Sequence, residues 1–295
     1  MHPVQLPSPQ IPLLTVSKAH EHVWVIELHN GEDNRLTEEM CVTALGPALV
    51  MVEAQWRDSW RISFNDKNDM EKRGGYGALI IVSNKAQNKF FSNGLDFQTI
   101  VTKPQFIHSK SDGSTKTNIG ILLSCPTDSF NPIAGHLLSF PIPVIAAING
   151  HAFAGGFILT MLCDYRVMKA KKAWLSMNEL LFGAPIPRSV AVLFNAKCVD
   201  SMVVRKIFLE AHRFTAQEAF KVKLVDEIVD GDSSAVFGAS VKLAHKVSYL
   251  SKLGVYGLIK REIYHLPIAE LAEEHRIISP REEDEVFCRN VKPRL

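Results

Sequence analysis

The feature that most constrains the fold of this chain is an uncharged run from residue 129 to residue 163. A run of that length could cross a membrane as a helix. However, Pro141, Pro143 and the adjacent Gly155 and Gly156 interrupt it. These breaks divide the run into a helix, a strand, a turn and a second helix. The sequence therefore predicts a buried core and no membrane span.

Apolar segments that alternate with helical ones predict the architecture around this run. The predicted strands cover residues 22–29, 77–83, 143–148, 164–168 and 224–229, and the predicted helices cover residues 37–56, 131–140, 157–163 and 190–210. From residue 235 onward the pattern is only helical. Strands separated by helices, followed by helices alone, predict an α/β core at residues 15–234 and a helical C-terminal region at residues 235–295.

The remaining segments lack a regular period. Repeated prolines near the N-terminus predict an extended arm over residues 1–14. Residues 57–75 and 101–128 are polar and irregular. Polar segments of this length in a compact domain usually border a binding site or move, so both are expected to shape access to a site.

Composition excludes two kinds of site. The 33 Lys and Arg residues are balanced by 31 Asp and Glu residues, and a net charge of +2 argues against a domain built to hold nucleic acid. The five cysteines include no CxxC pair and no Cys/His cluster with zinc spacing, which argues against a structural metal. Scattered cysteines in odd number indicate free thiols in a reducing compartment.

Three segments carry the candidate chemistry. Asn93-Gly94 is a predicted turn whose amides could face a cleft. Gly155 and Gly156 precede a predicted helix, where backbone amides carry partial positive charge. Glu179 lies among apolar neighbours, which should raise its pKa and suit it to proton transfer. Taken alone, each segment is explained more simply, as a surface turn, close helix packing and a solvated carboxylate.

Together, in order and spacing, these segments resemble the enoyl-CoA hydratase/isomerase, or crotonase, superfamily. The resemblance covers about residues 15–260. Phe91-Ser-Asn-Gly-Leu-Asp96 is similar to the F-S-x-G-x-D turn of the family, and Asp33-Asn-Arg-Leu36 is similar to the entry to its first helix. The glycine-rich segment of the family is similar to Pro143-Val-Ile-Ala-Ala-Ile-Asn-Gly-His-Ala-Phe-Ala-Gly-Gly156 with Cys163-Asp-Tyr-Arg166. Residues 209–219 and 224–229 are similar to its later helix and strand.

The resemblance implies a crotonase-type α/β fold, a spiral of ββα units with a helical C-terminal region that takes part in trimer formation. It also implies an acyl-CoA thioester whose carbonyl is held by the backbone N–H groups of Leu95 and Gly155. Residues Ser92, Asn93, Gly94, Leu95 and Asp96 would bind coenzyme A near its adenine. The implied assembly is a homotrimer or a dimer of trimers. No metal or further cofactor is implied, because coenzyme A is part of the substrate.

One departure from the family pattern bears on the activity. The resemblance implies that hydratases of the family use two glutamates, one in the helix after the glycine pair and one in the third segment. This chain has Ile158 at the first position and Glu179 at the second. Hydration requires one group that activates water and one that protonates carbon, whereas moving a double bond requires a single base. One carboxylate with an oxyanion hole resembles the Δ3,Δ2-enoyl-CoA isomerases, including plant and fungal members of the peroxisomal type.

The expected reaction is therefore the conversion of a 3-enoyl-CoA to the trans-2-enoyl-CoA in fatty-acid β-oxidation. Glu179 would remove a proton from C2 and return it at C4. Two alternatives remain open. The chain could be a hydratase or another thioester-enolate enzyme of the same fold, or a catalytically silent acyl-CoA-binding protein.

The final residues, Pro293-Arg294-Leu295, resemble a weak variant of the peroxisomal Ser-Lys-Leu address. They predict recognition by the peroxisomal import receptor and a peroxisomal location. The alternative is a basic tail without such a role, in a cytoplasmic protein.

Overall fold

The computed structural model of the protein describes residues 2–65, 74–86, 88–96, 130–273 and 278–291. The predicted polar segment at residues 101–128 lies outside the described residues, as does the central part of the segment at residues 57–75. The C-terminal Pro293-Arg294-Leu295 lies outside them too. The expectation that residues 57–75 are irregular is wrong for its first part, since residues 57–65 continue a helix.

The described strands form two sheets. They are β1 (Val4–Ser8), β2 (Ile11–His20), β3 (Val23–Leu28), β4 (Ala78–Ser83), β5 (Phe90–Ser92), β6 (Val144–Ile148), β7 (His151–Phe153), β8 (Tyr165–Lys169), β9 (Trp174–Ser176), β10 (Phe214–Thr215) and β11 (Glu227–Val229). The larger sheet has the order β1-β2-β3-β4-β6-β8-β11, and the smaller has the order β10-β9-β7-β5. From β3 to β11 the larger sheet is parallel, while β1, β2 and β3 pair antiparallel.

Helices follow most of the strands. They are α1 (Gly46–Asn65), which continues from a π-helical turn (Met40–Leu45), α2 (Phe130–Leu138), α3 (Gly155–Leu162), α4 (Arg188–Lys197), α5 (Ser201–Leu209), α6 (Ala216–Lys221), α7 (Ser233–Val247), α8 (Tyr256–Ile263), α9 (His265–Ala272) and α10 (Pro280–Val291). Two 3₁₀ helices, Glu179–Phe182 and Ser248–Ser251, complete the described elements.

The core lies on both faces of the larger sheet. Every residue of β4 and β6 is buried, as expected for parallel strands covered by helices on both sides. Val236 and Ala244 of α7 pack with Ile80 and Ala147 on one face. A larger apolar cluster, to which α1, α2 and α3 contribute, fills the other face. The predicted α/β core is therefore confirmed.

The uncharged run contains α2, β6 and α3 in the predicted order, but the segment predicted as a turn also contains the short strand β7. Among the described residues, no helix has the length and apolar character needed to cross a membrane. The run is uncharged because nearly all of it is buried inside the protein.

The structure differs from expectation at the N-terminus. Residues 4–8 and 11–14 belong to the sheet, since β1 pairs with β2 and the expected boundary at residue 15 falls inside β2. Pro7 is tolerated because β1 is the edge strand and the pairing register with β2 shifts between Leu6 and Pro7.

The predicted helix at residues 190–210 is two helices, α4 and α5. The chain breaks at Asp200, whose side chain accepts a hydrogen bond from the N–H of Met202 and caps the start of α5. An N-cap aspartate satisfies one of the unpaired amides at a helix start, which favours a new helix over a continuous one. This break places the end of α5 beside the candidate site.

Candidate active site

The smaller sheet brings the three candidate segments to one edge. Its strands β5, β7 and β9 are parallel, so their carboxyl ends lie on the same side. The turn at residues 93–96 follows β5, Gly155 lies two residues after β7, and Glu179 lies three residues after β9. The N–H of Ala154 donates to the carbonyl of Ser176 over 2.9 Å, which ties the ends of β7 and β9 together.

The backbone amides of Leu95 and Gly155 lie close to each other. A Cβ atom added at Gly155 would be 2.8 Å from the Leu95 nitrogen, and one added at Gly94 would be 2.9 Å from the Gly155 nitrogen. Within the described residues, neither N–H donates to a protein acceptor. Two adjacent unpaired amides can both donate hydrogen bonds to one carbonyl oxygen or oxyanion.

An unusual backbone conformation precedes Gly155. Ala154 has φ 50° and ψ −123°, a backbone conformation that residues other than glycine rarely adopt. Such a conformation costs on the order of 1–3 kcal/mol. Helix α3 begins at the next residue, so the Gly155 N–H has no partner within its own helix. The partial positive charge of the helix start adds to the attraction for an anionic oxygen.

Hydrogen bonds fix the turn that carries the Leu95 amide. The Ser92 hydroxyl donates to the Asn34 carbonyl over 2.7 Å, and the Asn93 N–H donates to the Asp33 carbonyl over 2.8 Å. The Leu36 N–H donates to the Gly94 carbonyl over 2.9 Å. The entry to the first helix therefore holds this turn in place.

The expected coenzyme A contacts differ in accessibility. Ser92 is fully buried, and its hydroxyl is occupied by Asn34 and by the Gly94 N–H at 3.2 Å. Asn93, Leu95 and Asp96 are half-buried, whereas Gly94 is buried and has φ 91°. The side chains of Asn93, Leu95 and Asp96 and the backbone of the turn are thus accessible to a ligand. Their role in binding coenzyme A stays a prediction.

Glu179 is the first residue of a 3₁₀ helix, and its carboxyl group is largely buried. Its Oε2 atom has no hydrogen-bond partner among the described residues. Burial raises the pKa of Glu179 to about 7, although a hydrogen bond with its own backbone N–H opposes the rise. A carboxyl group with a pKa near neutrality can both accept and return a proton.

Glu179 lines a pocket of about 180 Å³ that is partly open to solvent. Every other lining residue among those described is apolar; these are Met177, Leu180, Ala184, Pro185, Ile186, Phe208 and Leu209. The sequence analysis missed Phe208 and Leu209 because helical periodicity over residues 190–210 does not show which other segment the end of the helix faces.

Two other residues of the region have structural surroundings. Ile158 lies in α3 and is buried, at 5% exposure, and its side chain carries no ionisable group. His151 stacks on Trp174 at a ring distance of 4.5 Å and on Phe153 at 5.4 Å. Burial, with Lys89, Arg213 and Lys169 nearby, lowers the pKa of His151. The ring of His151 is therefore held by aromatic contacts, while its buried Nδ1 atom has no hydrogen-bond partner among the described residues.

Comparison with known proteins identifies the family. The family model described as enoyl-CoA hydratase/isomerase matches residues 62–258. The chain belongs to the enoyl-CoA hydratase/isomerase family. Within that family it is 31% identical over 204 residues to peroxisomal enoyl-CoA delta isomerase 2 of Arabidopsis thaliana, covering 69% of this chain and 80% of the relative. It is 29% identical over 189 residues to enoyl-CoA delta isomerase 3 of the same plant, covering 64% and 74%.

Solved structures of enoyl-CoA hydratase/isomerase proteins share the fold. The apo structure of the enoyl-CoA isomerase from Mycobacterium tuberculosis superimposes with a TM-score of 0.64 at 21% identity, covering 88% of this chain and 94% of that one. An enoyl-CoA hydratase from Mycobacterium marinum gives the same values. The predicted crotonase-type fold is confirmed.

Proposed function

We propose that this protein is a Δ3,Δ2-enoyl-CoA isomerase that converts a 3-enoyl-CoA to the trans-2-enoyl-CoA. The observation that carries the proposal is the carboxyl group of Glu179, which has a pKa near 7 and lines an otherwise apolar pocket. The names of the Arabidopsis relatives, enoyl-CoA delta isomerases, support the same reaction.

Glu179 acts as the only base. Its carboxylate removes a proton from C2, which lies between the thioester carbonyl and the double bond and is acidified by both. The resulting carboxylic acid then returns the proton at C4. A pKa near 7 suits both steps, because the ionised and protonated forms are of similar free energy near neutral pH.

The Leu95 and Gly155 amides hold the thioester oxygen. When the C2 proton leaves, negative charge develops on that oxygen as a dienolate. Two donors already fixed in place stabilise the charge without reorganising, and one such donor typically contributes about 10²–10³ in rate. The turn at residues 92–96 then lies beside the thioester, where we propose that it binds the coenzyme A portion.

Ile158 favours isomerisation over hydration. Hydration needs a second acid or base, and a buried isoleucine cannot supply one. The isomerisation moves a proton and a double bond without transferring electrons, so the proposed reaction needs no metal or redox cofactor.

We also propose a peroxisomal location, a role in fatty-acid β-oxidation and self-association. Two of the Arabidopsis relatives are named peroxisomal, and Pro293-Arg294-Leu295 would be the address read by the import receptor. Leu258, Ile259 and Ile263 of α8 are exposed together with Leu266 of α9. Exposed large apolar side chains in this region support a homotrimer or a dimer of trimers built through the C-terminal region at residues 235–295, which sedimentation analysis would test.

The test is an assay of the purified protein with trans-3-hexenoyl-CoA, following the ultraviolet absorbance of the conjugated product. We expect turnover by the native protein and a loss of about 10²–10⁴ in kcat for Glu179→Gln, the range of general acid–base catalysis. Glu227→Gln removes an exposed carboxyl group outside the pocket and serves as the matched control.

Product analysis separates the alternatives. A 3-hydroxyacyl-CoA formed from a 2-enoyl-CoA faster than the isomerisation proceeds would make the protein a hydratase. Binding of acyl-CoA that is unchanged in Glu179→Gln, without turnover by the native protein, would make it a silent binding protein. Either result would overturn the proposed function.

A further inference from the structure

The pocket beside Glu179 has a buried base and an exposed rim. Met177, at the base, is 2% exposed, and Phe208 is half-buried. Leu180 and Leu209 line the same pocket but are 53% and 71% exposed. Large apolar side chains exposed at the mouth of a site form a surface that a bound ligand can cover.

The two rim leucines come from elements that the fold holds in place. Leu180 follows Glu179 in the 3₁₀ helix, and Leu209 is the last residue of α5. Two residues after Leu209, the carbonyl of Ala211 accepts a buried hydrogen bond from the Ser176 hydroxyl over 3.2 Å. This bond ties the end of α5 to β9, the strand that leads to Glu179.

The proposed chemistry fixes where the acyl tail must run. With the thioester oxygen at the Leu95 and Gly155 amides and C2 to C4 at the Glu179 carboxyl group, later carbons continue past Glu179. The apolar concave surface that Glu179 itself lines is this pocket. Its volume of about 180 Å³ is below the roughly 300–1,000 Å³ of pockets that enclose a whole drug-sized ligand. A tail that fills the base therefore continues over the rim.

We infer that the protein prefers enoyl thioesters with long tails, and that Leu180 and Leu209 are specificity-determining residues that cover the carbons beyond the pocket base. The inference rests on the proposed isomerase function, because that function fixes the position of the reacting carbons. It adds a substrate class: 3-decenoyl-CoA and longer homologues over 3-hexenoyl-CoA.

The expected preference follows from the burial of methylene groups. A fully buried methylene is worth about 0.8 kcal/mol, or about fourfold in kcat/KM, and one lying on an open rim about half of that free energy, or twofold. The decenoyl chain has four more methylenes than the hexenoyl chain. We therefore expect kcat/KM to be roughly fifteenfold higher for trans-3-decenoyl-CoA.

The experiment compares the two substrates in the native protein and in Leu180→Asn and Leu209→Asn. Each substitution replaces an apolar rim surface with a polar one, and each should lower the decenoyl-to-hexenoyl ratio to about fourfold or less. Leu253→Asn changes a leucine of similar exposure, 64%, that does not line the pocket, and it should keep the native ratio. Thermal unfolding of each variant verifies that it is folded.

Binding of saturated thioesters gives a readout that does not depend on turnover. Decanoyl-CoA should bind the native protein roughly tenfold more tightly than hexanoyl-CoA, and Leu209→Asn should remove most of that difference.

Turnover with equal kcat/KM for both chain lengths would overturn the inference and leave the proposed function standing. A preference that both rim variants retain would also overturn it, since the tail would then lie elsewhere. Chain-dependent binding at the rim without turnover would support the tail site and overturn the isomerase proposal.

Discussion

Replacing Gly155 with alanine tests the two-amide site directly. An added Cβ would lie 2.7 Å from the Leu95 Cγ atom and 2.8 Å from the Leu95 nitrogen. The leucine side chain can rotate away, but the nitrogen belongs to a turn that is hydrogen-bonded to residues 33–36. The substitution therefore pushes one amide away from the other by a few tenths of an ångström or more.

The expected loss is that of one oxyanion donor. Moving a donor out of line costs about 10²–10³ in kcat, or roughly 2.7–4 kcal/mol of transition-state stabilisation. Binding of the saturated ground-state thioester should change much less, because the negative charge is absent before the proton leaves. The assay measures kcat with trans-3-hexenoyl-CoA and the affinity for hexanoyl-CoA in parallel.

Gly238→Ala is the matched control. Gly238 lies in α7, and a Cβ added there would meet no other atom within 4 Å. Alanine in a helix interior is favoured over glycine, so this variant should be fully active and slightly more stable, by about 0.5–1 kcal/mol. If folded Gly155→Ala keeps its native kcat within about threefold, the Leu95 and Gly155 amides are not the oxyanion site.

Three further predictions concern titration. Because Glu179 must be ionised to act as a base, kcat/KM should fall about tenfold per pH unit below pH 7, and a pH-independent rate between pH 5 and pH 8 would refute this role. Because the pKa of Glu179 is raised in the folded state, the free energy of unfolding falls as pH rises from about 4.5 to 7. In urea unfolding, Glu179→Gln should therefore be roughly 1–3 kcal/mol more stable than the native protein at pH 8 and no more stable at pH 4. Burial raises the pKa of Glu53, but hydrogen bonds and charge from His136 and Arg57 outweigh it and lower the pKa. Its stabilisation should therefore be present above pH 4.5 and lost in acid, and Glu53→Gln should cost about 1.5–3 kcal/mol at pH 7 only.

The sequence predicts the parts of the fold that depend on local patterns. Long apolar runs predict β4 and β6, and the Thr-x-x-Glu spacing from Thr215 to Glu218 is typical of the capping box that the structure has at the start of α6. Each of these features is decided within a few neighbouring residues.

The smaller sheet could not be predicted in the same way. Its strands β5, β7 and β9 are three residues long, which is too short for an alternating pattern to be recognised. Their pairing depends on contacts between distant parts of the chain. The closeness of the Leu95 and Gly155 amides has the same origin, and the resemblance to a family supplied what local patterns could not.

The candidate site concentrates features that cost stability, and its surroundings offset them. Among the residues that the structure describes, Glu179 has a buried oxygen without a partner and the Leu95 and Gly155 amides are left unpaired, while Ala154 has a strained backbone. Each would be removed by selection for stability alone. They persist because the turn at residues 92–95 is hydrogen-bonded to residues 33–36 and Ala154 is bonded to Ser176, bonds that hold the costly geometry without using the groups that meet the substrate. Substitutions that relieve these costs should therefore stabilise the protein and reduce its activity together.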